Sequence, residues 1–194
     1  KIAYSEINHA TSEVEKNYAY RNLVLIYLLA SVGMRVGALC RLKIKDIKIA
    51  NAITNLTLKG KTSDVYTVTI DHKTTEVLNR YLDFFHKEAD PNDYVFYHSK
   101  PKYRIQQFDV SREIKRLVEK ADIKKSITAH SFRVTFATLS YAQGMRLTEI
   151  QKRMNHKNIE QTAAYIKHTL AEVDHKWMPS LPGFTSLDPR EASL

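Results

Sequence analysis

The chain has 194 residues, 43% of them hydrophobic and 26% charged, which fits one domain, or one domain with a tail, around a packed core and is not the composition of a disordered protein. Thirty Lys and Arg face 21 Asp and Glu, a net charge of +9; residues 1–169 hold 28 of those cations and 17 of those anions, a balance of +11 that suits a polyanionic partner, nucleic acid before anionic lipid. The single cysteine, Cys40, excludes an internal disulfide and a cysteine-based zinc site, and the longest apolar run, Leu23 to Ala30, is far too short to span a bilayer. No membrane association and a reducing intracellular compartment are the simplest expectations.

In chain order, residues 5–16 read as a short polar helix with Ser5 as a cap, and 18–32 as a buried central helix, apolar nearly all round and stopped by Gly33. A short helix near 36–41 leads into the basic stretch Arg41, Lys43, Lys45 and Lys48. Residues 53–58 and 65–70 are rich in β-branched side chains around the polar segment 59–64, the pattern of a β-hairpin. Apolar residues at 77, 78, 81, 82 and 85 mark a helix over 73–86, and Asp90 to Asp93 form a turn. Tyr94 to Tyr97 fits a third strand or an extended segment, 99–104 a basic loop, and 107–120 another helix. Three helices follow: about 130–143 ending at Gly144, 147–154, and one that starts near Asn158 with Gln161 in a capping position. Beyond His168 the prolines at 179, 182 and 189 suggest an extended tail over 170–194. The sum is a mainly α domain with a small antiparallel β-sheet, an α+β fold.

Several residues suit chemistry on a phosphate. His130 and Arg133 stand three apart and share a helical face, so both can meet one anion, the Arg through its planar fork. Arg35 follows the buried helix in Gly33-Met34-Arg35-Val36-Gly37, where flanking glycines admit a close ligand. Lys61 lies at the hairpin tip, and His156 and Tyr165 belong to the last two helices. Each has an ordinary reading alone: a surface pair, a helix end settled by a cation, a solubilising tip, a rim tyrosine.

Their order and spacing together resemble the tyrosine recombinase family, the phage integrases and Xer-type recombinases. His130-Ser131-Phe132-Arg133-Val134-Thr135-Phe136-Ala137-Thr138 is similar to the family's His-x-Leu-Arg-His-Thr-Phe-Ala-Thr. Met154-Asn155-His156 stands in the place of Leu-Gly-His, and Tyr165-Ile166-Lys167-His168 resembles the family's Tyr-x-x-His. The resemblance covers about residues 20 to 168 and implies the fold of that family's catalytic domain over 1–169. It makes Arg35 and Arg133 the phosphate-gripping pair, Lys61, His130 and His156 the assisting groups, and Tyr165 the nucleophile. Three positions depart from it: Ala38 replaces a Glu, Val134 the second His, and Asn155 the Gly before the third-motif His.

By that resemblance the reaction is site-specific DNA recombination through a 3′-phosphotyrosine, needing no metal, cofactor or ATP. The implied partners are double-stranded DNA and further copies of the chain in a synaptic tetramer. The family's N-terminal DNA-clamping domain is expected to be absent, since the chain begins immediately before the catalytic region. Arg41, Lys43, Lys45, Lys59, Lys100, Lys102 and Arg104 are expected to bind backbone phosphates. Two other readings are a non-catalytic regulator, with 130–154 as a helix-turn-helix, and a type IB topoisomerase. The first does not require Arg35, Lys61 and Tyr165 together.

Overall fold

The computed structural model of the chain describes residues 2–50, 53–60, 64–98, 100 and 102–172, with side chains through 167. Helix α1 (Ile2–His9) is followed by the long α2 (Glu13–Val32) and the short α3 (Val36–Cys40). The expected helix over 5–16 is therefore broken, and the physical reason is a capping box. Ser12 Oγ accepts the Glu15 N–H at 3.2 Å while Glu15 Oε2 accepts the Ser12 N–H at 3.3 Å, so the chain restarts there and Ser5 lies inside α1.

A 3₁₀ turn at Ile44–Asp46 enters strand β1 (Ile47–Ala50), which pairs antiparallel with β2 (Ile53–Lys59), itself paired with β3 (Val65–Ile70). The third strand is thus β1, hidden in the basic stretch. Residues 94–97 contribute only single bridges, Lys43 with Tyr94 and Tyr97 with Arg104. Alternation along β2 buries Thr54, Leu56 and Leu58, and Leu56 sits between Ile47 and Val68 in register. Helix α4 (His72–Phe85), capped by Asp71, packs Val77, Leu78 and Tyr81 inward, and α5 (Gln107–Lys120) adds Val110 and Ile114.

These elements share one large core built around Leu23 to Leu29 of α2. Helices α6 (Ala129–Ala142), α7 (Leu147–Met154) and α8 (Ile159–Glu172) share a second, smaller core of Phe136, Ala137, Ile150, Met154 and Ile166. Helix α6 joins the two, packing on α2 on one side and on α7 and α8 on the other. The joint is close: α2 ends at Gly33 in the left-handed region (φ 62°), where a Cβ would overlap the Phe136 ring. Helix α8 runs through the expected tail boundary at 170, and residues 173–194 lie outside the described residues.

Candidate active site

The seam between the two cores gathers the polar groups. Gly33 turns the chain out of α2, and Arg35 caps the start of α3. Arg133, one turn into α6, reaches back across the seam and is only 5% exposed. Its Nη1 donates to the Gly33 carbonyl and its Nη2 to the Met154 carbonyl at 2.5 Å. Arg35 Nη1 donates to the neighbouring Asn155 carbonyl at 3.1 Å. Among the described residues no carboxylate is ion-paired with either arginine. Carbonyl and hydroxyl oxygens satisfy the buried Arg133 guanidinium without neutralising it, so the pocket carries a positive charge that an anion would offset. Burial and the adjacent Arg35 charge lower the pKa of Arg133, opposed by the Tyr165 hydroxyl hydrogen-bonded to it.

Tyr165 lies between two imidazoles. The His130 ring centroid is 5.4 Å away at 57°, and that of His156 is 5.5 Å away at 32°. His130 and Arg133 thus converge on one side chain, as their spacing predicts. His156 is buried, with Nδ1 2.8 Å from the hydroxyl of Thr162. Burial and the charges of Arg133 and Arg35 push its pKa down to about 4, so it is neutral near pH 7. A Thr162 hydroxyl donating to Nδ1 leaves the imidazole proton on Nε2, ready to be donated elsewhere.

A cleft of about 410 Å³ opens beside these groups, lined by Arg35, Arg41, Gly60, Tyr66, His130 and Arg133 among others. Lys61 lies outside the described residues, but Gly60 and Asp64, which bracket it, border the site: Asn155 Nδ2 donates to Asp64 Oδ2. Thr162, Asp64 and Tyr66 were not singled out by sequence reasoning. Thr162 precedes Tyr165 by three residues on α8, a spacing that puts both on one face and was a readable signal. Asp64 and Tyr66 come to the site only through the hairpin fold, which no local pattern reveals. A second hollow, about 490 Å³ between α1, α2 and α5, shares no residue with this cleft, and its Arg116 is already ion-paired with Glu6 and Glu113.

The expected DNA-binding cations divide. Arg41 lines the cleft and donates through Nη2 to the Lys59 carbonyl at 2.7 Å. Lys43 Nζ stands 5.0 Å over the Tyr94 ring, and Lys45 Nζ donates to Asn92 Oδ1 at 2.6 Å, so both line the 91–94 turn. Lys59, Lys100 and Lys102 are exposed, and Arg104 is half-buried beside Tyr97. None of these six borders the cleft. Among the described residues no three His, Cys, Asp or Glu side chains gather as a metal site, and no helix is long and apolar enough to cross a membrane.

The model of the phage integrase family matches residues 2–172. A tyrosine recombinase of Pseudothermotoga lettingae is 29% identical over 161 residues, covering 80% of this chain and 54% of that protein. The tyrosine recombinase XerA of Pyrococcus furiosus is 31% identical over 152 residues, covering 77% of this chain and 51% of its own length. The chain thus spans about half the length of the curated relatives it matches. A crystal structure of XerA recombinase superposes with a TM-score of 0.70 at 27% identity, over 92% of this chain and 64% of that one. The fold is also shared by XerH site-specific recombinase bound to its difH substrate, with a TM-score of 0.71 at 24% identity over 88% of this chain and 49% of that one.

Proposed function

Since the chain belongs to the phage integrase family, we propose that it cuts and rejoins DNA by site-specific recombination, with Tyr165 as the nucleophile. The observation that carries this reading is Arg133: a buried arginine with no carboxylate partner among the described residues, hydrogen-bonded to Tyr165 and adjacent to Arg35. Two fixed positive charges beside a tyrosine hydroxyl suit a phosphodiester, whose non-bridging oxygens gain negative charge during attack. Charge supplied by the protein in this way needs no metal.

In the proposed reaction Tyr165 Oη bonds to phosphorus as the bond to the 5′-oxygen breaks. The tyrosine proton passes to His130, and Lys61 protonates the departing oxygen. Neutral His156 donates its N–H to a phosphate oxygen, held in that tautomer by Thr162. The 3′-phosphotyrosine preserves a phosphodiester, so attack by a 5′-hydroxyl reseals DNA without ATP. Double-stranded DNA is the proposed substrate, bound in part by the cations of 41–48, 59 and 100–104. Self-association into a tetramer on DNA, and residues 1–169 acting as the catalytic unit, belong to the same proposal.

The test is incubation with a pool of duplexes of randomised sequence, each nicked so that the cut fragment diffuses away. The expected result is a covalent adduct whose digestion places the nucleotide on the peptide carrying Tyr165, formed at the same rate in excess EDTA. An adduct on Tyr141 or Tyr103, or bound DNA with no adduct at all, would overturn the reading; the latter would favour the regulator.

A further inference from the structure

The cleft that holds Arg35 and Arg133 has a third arginine in its wall, and no carboxylate among the described residues that line it. Arg41, just past the end of α3, is held by one nitrogen: Nη2 donates to the carbonyls of Lys59 at 2.7 Å and Gly60 at 3.2 Å. Its Nη1 stands beside Gly37, where a Cβ would lie 3.4 Å from it and 3.3 Å from Gln107 Nε2. Gly37 and Gln107 line the cleft as well. Two nitrogen donors, from α3's end and from the first residue of α5, thus face one gap that glycine leaves open.

Neither nitrogen has a hydrogen-bond partner among the described residues. A guanidinium holds no acceptor, and an amide turned by its NH₂ edge offers none, so donor faces donor across the gap. An oxygen carrying negative charge relieves that arrangement. Conformation does not explain the glycine: Gly37 lies within α3 without positive φ, where alanine would favour the helix. What glycine supplies is space. A base edge also offers acceptors, but this gap opens on the cleft of Arg35 and Arg133. A DNA strand with one phosphate held there brings the neighbouring phosphate along the same wall.

We infer that Gly37, Arg41 and Gln107 form a second phosphate subsite, which takes the backbone phosphate next to the one that Tyr165 attacks. The inference rests on the reading of the cleft as the place of DNA cleavage. Two neighbouring phosphates held at once fix the orientation of the scissile bond as well as its position.

Gly37→Ala tests the subsite without changing any charge: the methyl fills the gap, and the exposed Gln107 amide can yield to it. Its melting temperature should equal or exceed that of wild type. On duplexes of randomised sequence its affinity should fall about tenfold, as for one lost charge-assisted hydrogen bond. The slope of log affinity against log salt should become shallower by about 0.9, the share of one phosphate. Adding Gly37→Ala to Arg41→Ala should cost less than about twofold beyond Arg41→Ala alone. Wild-type affinity and slope in Gly37→Ala overturn the subsite, and so does a changed sequence preference at unchanged slope, which would mean that the gap reads bases. Should Gly37→Ala melt early, Gln107→Ala, at an exposed position, replaces it: affinity should fall about threefold, and an unchanged affinity overturns the subsite. Adduct formation separates the inference from the reading beneath it. A wild-type chain that forms no adduct refutes cleavage, while the binding results still decide whether the gap holds a phosphate. Once the cut is mapped, a methylphosphonate removes the charge of one flanking phosphate. At one of the two flanking positions it should slow wild type about tenfold but Gly37→Ala less than about twofold; equal slowing of both chains at each position overturns the inference.

Discussion

The large core is built from α1 to α5 and the sheet and is organised around the almost fully buried middle of α2, whereas the small core has five buried residues under three short helices. The chemistry is not divided in proportion. Arg35 and the hairpin stand on the large core, while His156 and Tyr165 stand on the small one, with α6 carrying His130 and Arg133 between them. A site split this way has one rigid half and one half whose opening costs less, because few buried contacts hold it. The carbonyls of Gly33 and Met154, one from each half, meet on the same guanidinium, so Arg133, the proposed phosphate ligand, is also the fastener of the seam.

The largest expected effects separate those two duties. Arg35→Ala and Arg133→Ala should each slow single-turnover cleavage by at least about 100-fold, the cost of losing a charged donor in the transition state. Only Arg133→Ala should also lower the melting temperature, since only it leaves carbonyls of both halves without their donor. Equal melting temperatures for the two variants would contradict the fastener, and near-normal cleavage in either would break the two-arginine grip.

Next come the cores themselves. Leu28→Ala and Ile150→Ala remove fully buried side chains from the large and small core, and each should cost about 2–5 kcal/mol. Their reach should differ. Hydrogen exchange should rise throughout the chain for Leu28→Ala, but mainly over 145–167 for Ile150→Ala, with adduct formation lost. Uniform loss of protection in both would show a single cooperative unit and remove the distinction drawn above.

Acidity sharpens the same comparison more gently. Each half buries a histidine whose pKa is lowered by desolvation: His86 beside Tyr81 and Tyr97, and His156, held near 4 with help from Arg133 and Arg35. Below the ordinary value of 6.5 the unfolded chain takes up protons that these folded sites refuse, so stability present above that pH is lost as it falls toward 4. Between about pH 7 and about pH 5 the DNA-free chain should lose on the order of 5 °C in melting temperature. His156→Gln should recover part of that loss, visible as restored protection in α7 and α8; recovery confined to the large core would refute the assignment.

The smallest effect concerns DNA affinity. Lys43→Ala with Lys45→Ala should make the slope of log affinity against log salt shallower by at most about two units, alike on any sequence, because phosphates carry no sequence information. Two phosphate contacts at about 0.9 each set that upper limit, and the contacts of Lys43 with Tyr94 and of Lys45 with Asn92 compete with them. Lost preference for one sequence at an unchanged slope would mean that they read bases.

Much of this organisation was legible in the sequence. The i, i+3 spacing of His130 and Arg133, the glycine stop at 33 and the hairpin signal of 53–70 follow from local periodicity and turn chemistry. The Ser12–Glu15 box was readable too, as a Ser-x-x-Glu start that outweighs the polar continuity of 5–16. Strand β1 was not, because four residues, Ile-Lys-Ile-Ala, are too few for alternation to stand out beside the neighbouring lysines, and their pairing partner is supplied by β2. The Asn155–Asp64 bond lies further out of reach, since only the tertiary fold brings a helix end to a hairpin neck.

Tyr165 is the residue on which the proposed reaction depends most directly. Tyr165→Phe removes one hydroxyl and leaves the ring between His130 and His156, so duplex affinity should stay within about threefold, since binding rests on phosphate contacts. On the nicked duplex, where wild-type protein is expected to be trapped, this variant should form no covalent adduct at any time. An adduct that persists in Tyr165→Phe would place the nucleophile elsewhere and contradict the site described above.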